Sequence, residues 1–437
     1  MSVNSTEVAR RRGIFAWLNQ NISTGNAVTL LFCAWIVMTL MSFIAFLRPM
    51  LFEEVLLIPR EQHGRITGML LVVNDGIAFA AMLLFGKWSD TYGRRRLFSI
   101  GILILALAIT LNPFAGDLTG LILVQFVIGV GFAGTSVMIS SMLQDYPQEQ
   151  YRGKFLGIAS IAAGLGMLFL ALVITRIPEM LTTRGYSPAA AISITFWVGA
   201  GLATLAAVVG YIGLNREVVA PTEQKPPLLK GLREALLAAK LNKKIRLGYA
   251  AGFASRGDLA MIGTLFPLWF MHVGKKAGME SAEVLATSGM MFGVITLAGF
   301  VAGPAIGFLS DKIRREVTVT IVFGLAALAY TLTGLVEDPF NMKVMLPVCL
   351  LLGLAEVGAI VACGTLVGQE APKETRGTII AWYQVFGGIG IAVCVLAGGY
   401  LFDHIAPTAP FLMMGVVNLI VMFLGWSTCR QVAAKDV

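Results

Sequence analysis

The chain has 437 residues, of which 57% are hydrophobic and only 13% are charged. A soluble domain carries about 25% charged residues, so this chain could not cover a soluble surface with polar groups, and a bilayer is its natural solvent. The net charge of +8 invites a nucleic-acid reading, but the placement of the charges decides that question, not their total.

In chain order, residues 1–26 come first; they are polar and carry Arg10, Arg11 and Arg12. The apolar run after them is too long for a signal-peptide core and is followed by no small-residue cleavage site, so it reads as a retained first span. Twelve runs are marked as spans, against the roughly 20 residues of helix that cross the hydrocarbon core. They are 27–47, 66–86, 97–114, 119–142, 154–174, 190–213, 247–271, 284–306, 317–335, 344–367, 378–401 and 408–428. Lipid cannot satisfy backbone groups, and these runs are too long and too uniform for barrel strands, so the fold class is an all-α membrane protein with twelve transmembrane helices.

With the N-terminus inside, the inside segments hold 24 of the 33 Lys and Arg, the outside loops hold 8, and Arg256 lies within a span. The positive-inside rule then puts both termini in the cytoplasm. The basic excess therefore reports topology, and no nucleic-acid partner is expected. Segment 214–246 is the longest inside stretch; Pro226 and Pro227 interrupt it, and its second part, LLKGLREALLAAKLNKKI, is amphipathic and basic, suited to the inner leaflet. It separates a bundle at 27–213 from a second at 247–428, with 429–437 as a tail.

The two bundles echo each other. Gly86-x-x-Ser89-Asp90 recurs as Gly307-x-x-Ser310-Asp311, each followed by a basic cluster between the second and third spans of its half. QDYPQEQYRG, from Gln144, resembles QEAPKETRG, from Gln369, each between a fourth and a fifth span. The offsets are 221 and 225 residues, which indicates a duplicated six-helix unit with pseudo-symmetric halves.

The pattern G-x-x-x-D-x-x-G-R-R, carried by Gly86, Asp90, Gly93, Arg94 and Arg95, resembles the signature loop of the major facilitator superfamily. The resemblance covers nearly the whole chain, with one departure: Arg314 stands where a second Gly93 would align. It implies the twelve-helix fold of that family and solute transport. It also implies that Gly86, Asp90, Gly93, Arg94 and Arg95, with Gly307, Asp311, Arg314 and Arg315, form halves of a conformational latch. Physically, Gly86 is expected to allow close helix approach, Asp90 to accept bonds from a helix N-terminus, and Arg94 and Arg95 to pair with acids, Asp145 being a candidate. The alternative is that these loops only anchor the helices and set orientation.

Ionisable residues deep in a span are functional candidates by default. Asp75 lies in the second span, Arg256 and Asp258 in the seventh, and Glu356 in the tenth. Arg256 and Asp258 are two residues apart, about 200° around a helix, so one of them is expected to pair with a different helix. Glu356 shares a face with Gly353, Ala359 and Cys363 and is the first choice for a proton carrier, before Asp258 and Asp75. Arg256 could bind an anionic substrate or act as the counter-charge; the alternative for all four is a static pair that orders helices. Asn74 and Asp75 could instead bridge helices or hold sodium. Gln125 and Gln384 are candidates for the path, and Gln125 occupies the arginine position of the R-x-x-x-G-x-G string found in antiporters of the family.

Other motifs carry little weight. GVGFAG at 129–134 lies inside a membrane run and reads as helix packing, not as a dinucleotide loop. The five cysteines and three histidines show no metal-ligand spacing, so neither metal nor cofactor is expected. No nucleotide-phosphate loop appears, and no Ser, His or Cys constellation supports an enzyme. The expected function is secondary transport of a small organic solute, coupled to protons or sodium, by a monomer in a bacterial inner membrane. Efflux of a drug or metabolite is favoured over uptake of an organic acid or sugar, because the cavity helices are largely apolar. A non-transporting sensor or chaperone on the same fold is the competing class.

Overall fold

A computed structural model describes residues 17–216, 228–372 and 375–433, apart from the side chains of Asp90, of 228–232, of 235 and of 432–433. Parts of the expected N-terminal segment, linker and tail lie outside the described residues, as does the side chain of the signature residue Asp90. The described chain is helical. In order, α1 is Thr24–Glu54, α2 His63–Tyr92, α3 Arg94–Leu111, α4 Leu118–Asp145, α5 Arg152–Leu172, α6 Ile177–Thr182 and α7 Pro188–Gly213. Then come α8 Leu228–Leu241, α9 Lys243–Lys276, α10 Ser281–Lys312, α11 Arg315–Gly334, α12 Met342–Glu370, α13 Arg376–His404 and α14 Ala409–Ala433.

Eleven helical segments among the described residues are long and apolar enough to cross a membrane, so the chain is a multi-pass membrane protein. The twelfth expected span corresponds to α9, whose 34 residues give ample length. It is less apolar than the others because it carries Arg256 and Asp258 at its centre and basic residues at both ends. Local chemistry sets several boundaries. Asp117 accepts from the Gly120 amide, Asn242 from Lys244 and Asn341 from Lys343, capping α4, α9 and α12. Segment α8 is the amphipathic helix expected in the linker, and it leaves Leu236, Leu237 and Leu241 exposed.

The helices group into two compact units. One comprises 1–44, 76–170 and 193–222; the other comprises 45–75, 171–192 and 223–437. In the first, α3 and α4 approach closely through glycines: a Cβ on Gly131 would stand 2.6 Å from the Leu105 amide, and one on Gly101 2.9 Å from Gly134. The GVGFAG string is thus a packing surface. In the second, the missing side chains of Gly390 and Gly353 let α13 meet the Phe253 carbonyl and α12 meet the Ile295 carbonyl. Segment 45–75 belongs here. Gly64 packs on the Gly399 backbone, and the Asp403 carboxylate accepts from the Gly64 and Arg65 amides at 2.8 and 2.6 Å, capping α2. Glu54 accepts from Ser281 and from Lys275, the latter at 3.4 Å.

Gly93 separates α2 from α3 with φ at 82°, a left-handed conformation that costs an L-residue about 1–3 kcal/mol. Gly93→Ala is therefore expected to lower the unfolding midpoint in detergent by several degrees; an unchanged midpoint would show that the turn relaxes freely.

Candidate functional site

In the second unit, the mid-span charges are divided by helical phase. Arg256 and Asp258 leave α9 in different directions. The Arg256 Nη2 donates to Gln384 Oε1 on α13 at 3.3 Å, so two of the sequence candidates meet. The Arg256 stem lies across Gly387, where a Cβ would stand 2.7 Å from its Cγ. Asp258 faces α14 and α11. Its Oδ1 accepts from Asn418 Nδ2 at 2.9 Å, and its backbone carbonyl accepts from the Tyr330 hydroxyl at 3.0 Å. Asp258 is 0% exposed and its Oδ2 has no hydrogen-bond partner among the described residues; nor has Asn418 Oδ1.

Glu356, on α12, is buried. It lies near enough to Asp258 and Tyr330 for their charges to interact. Each such ionisable group costs at least about 2.5–3.5 kcal/mol at the bilayer centre unless paired or wetted. Asp75 accepts from its neighbour Asn74 at 3.0 Å, and no hydrogen bond or ion pair joins that couple to Arg256, Asp258 or Glu356 among the described residues. Gln125 is buried in the first unit.

The two signature loops differ. In the first unit, Arg94 forms an ion pair with Asp145, tying the start of α3 to the end of α4. Arg95 has no ion pair among the described residues; its guanidinium lies 4.7 Å from the Tyr211 ring centroid on α7. Among the described residues no atom lies within 4 Å of where a Cβ on Gly86 would stand, and the same holds at Gly307. In the second unit, Arg314 binds Glu316 through Nε at 2.8 Å and Nη2 at 2.7 Å. Arg315 reaches the Thr365 carbonyl at 3.5 Å, and Asp311 is exposed. Lys244 joins the network, 3.6 Å from Glu316 and 3.0 Å from Glu370.

Sequence reasoning missed Asn418, Tyr330, Glu316, Glu370 and Lys244. The echo itself aligns Glu370 with Asp145, at the offset of 225, so that acid was findable. Asn418, the one polar residue in the run VVNLIV, was a second available signal. Arg48, one residue past the first marked span, lies inside α1 and is 4% exposed.

Comparison with known proteins adds the family. The chain is 25% identical over 392 residues to the magnetosome protein MamH of Paramagnetospirillum magneticum, covering 88% of each chain. It is 25% identical to the magnetosome protein MamZ of the same organism and of Magnetospirillum gryphiswaldense, but spans only 59% and 61% of those longer proteins. It is 24% identical over 414 residues to the niacin transporter NiaP of Acinetobacter baylyi, covering 88% of this chain and 90% of that one. Among solved structures, the nucleoside transporter NupG superposes with a TM-score of 0.71 at 13% identity, over 92% of this chain and 98% of that one. A bacterial homologue of the human lysosomal transporter Spinster gives 0.64 at 15%, over 92% and 96%. These superpositions establish the fold. The sequence profile of the Major Facilitator Superfamily matches residues 30–393 and 285–435, and the chain belongs to that superfamily.

Proposed function

We propose that this protein is a proton-coupled secondary transporter that exports a small organic solute across a bacterial inner membrane by alternating access, as a monomer with both termini in the cytoplasm. The observation that carries the coupling is the pair Asp258 and Glu356. Two carboxyls lie in the membrane interior, close enough to repel each other when both are charged. Asp258 Oδ2 and Asn418 Oδ1 are buried acceptors without donors among the described residues. A proton on Oδ2 supplies a donor where there is none, and its loss leaves a carboxylate held by Asn418. A site that is chemically sensible in both protonation states is what a carrier requires.

The signature loops support the alternating cycle. The Arg94–Asp145 pair and the Arg314–Glu316–Lys244–Glu370 network hold helix ends at the basic face. Relatives named for transport take niacin and 4-methylmuconolactone, and others are named for multidrug resistance, which supports an organic cargo. The magnetosome relatives carry no cargo in their names.

The test uses purified protein in liposomes containing a pH-sensitive dye, challenged with a broad panel of organic solutes. At least one solute is expected to drive proton movement against its own. Solute exchange without proton movement would remove the coupling, and sodium would then take the proton's place. No exchange of any solute would leave the non-transporting reading standing.

A further inference from the structure

Granted transport, the chemistry around Arg256 narrows the cargo: we infer that the solute is an organic anion whose carboxylate docks on Arg256, with Gln384 beside it. The charge of Arg256 sits near the middle of α9, thirteen residues from the helix start. Arg256 donates to a neutral amide oxygen, Gln384 Oε1, at a long 3.3 Å. Among the described residues no carboxylate lies within 4 Å of it, although Asp75, Asp258 and Glu356 belong to the same unit. Asp258 is turned away toward Asn418 and Tyr330, and no hydrogen bond or ion pair joins Arg256 to Asp258 or Glu356 among the described residues.

Two further features keep the guanidinium available. Gly387 gives the Arg256 stem a groove to lie in, so the head is directed along α13. Gln384 is exposed and Arg256 is part-exposed, so the pair is open to an entering molecule. A cation kept accessible and acid-free inside a membrane protein lacks its counter-charge. A planar guanidinium offers paired N–H donors that match a carboxylate, and one such group suits one negative charge. Among the described residues no acid completes a static pair with Arg256, and Asp258 is held by Asn418 instead.

The experiment measures solute exchange in liposomes with matched sets that share one carbon skeleton: benzoate, benzamide and benzylamine, and hexanoate, hexanamide and hexylamine. Carboxylates are expected to exchange and their amides and amines not to. Arg256→Gln is expected to raise the half-saturating carboxylate concentration about 100-fold, and Arg256→Lys about 10-fold, because an ammonium keeps the charge but loses the fork. Gly387→Ala pushes on the Arg256 stem without touching its charge, and is expected to give an intermediate loss in protein that remains monodisperse. Exchange of amides or amines in place of carboxylates would overturn the inference and leave transport intact. So would an unchanged half-saturation in Arg256→Gln. Exchange of nothing at all would overturn transport, and this inference with it.

Discussion

Asn418→Leu is expected to destabilise the protein by about 2–4 kcal/mol, a large effect for a single substitution of similar size. Asn418 and Asp258 are both 0% exposed. Asn418 Nδ2 donates to Asp258 Oδ1 at 2.9 Å and also to the Met414 carbonyl at 2.9 Å. Leucine fills the volume but donates nothing, so the buried carboxyl loses the donor at its Oδ1. The cost is that of a desolvated polar group, not of a lost contact. Asp258→Leu combined with Asn418→Leu removes both members and is expected to be more stable than Asn418→Leu alone, because two apolar groups leave no orphan. Thermal unfolding in detergent reads both. Equal midpoints for wild type and Asn418→Leu would show that Asp258 does not depend on its amide neighbour, and the proton argument built on that pair would lose its footing.

The sequence made the helices legible because lipid leaves few choices. An apolar run of about 20 residues has one way to bury its backbone polar groups. The duplicated loops were legible for the same reason: charge is rare here, so its repetition at offsets of 221 and 225 stands out. The separation of Arg256 from Asp258 followed from 3.6 residues per turn alone. What was not legible were partners distant in the chain. Asn418 lies 160 residues from Asp258, and Tyr330 lies 72 from it. Lys244 reaches Glu370 across 126. Periodicity tells which face a residue occupies, but not which helix stands opposite. Gly86 shows the same limit from the other side. A glycine permits close approach, yet whether anything approaches depends on the neighbouring helix, and among the described residues nothing lies within 4 Å of a Cβ at Gly86. Asp403 was invisible as a cap because the helix it caps, α2, begins 340 residues earlier.

Glu356→Gln is expected to cut solute-driven proton movement by roughly a hundredfold, equivalent to about 2.7 kcal/mol, while leaving proton-independent solute exchange within about twofold. The substitution is nearly isosteric, and the close approach of α12 to the Ile295 backbone is made one turn away at Gly353, which it leaves unchanged. What the change removes is the ability to take up and release a proton at a site only 5% exposed. Asp258→Asn is the necessary companion, because the two acids sense each other's charge and the pair can share one proton. Loss of proton movement in Glu356→Gln alone assigns the carrier to Glu356. Loss in Asp258→Asn alone assigns it to Asp258. Loss in both, with exchange retained, makes the pair the coupling unit. A purely structural role predicts something different: exchange and proton movement fall together, in step with the unfolding midpoint. Retention of coupling in both variants would remove the proton from this site altogether, and the driving ion would have to be sought at Asn74 and Asp75.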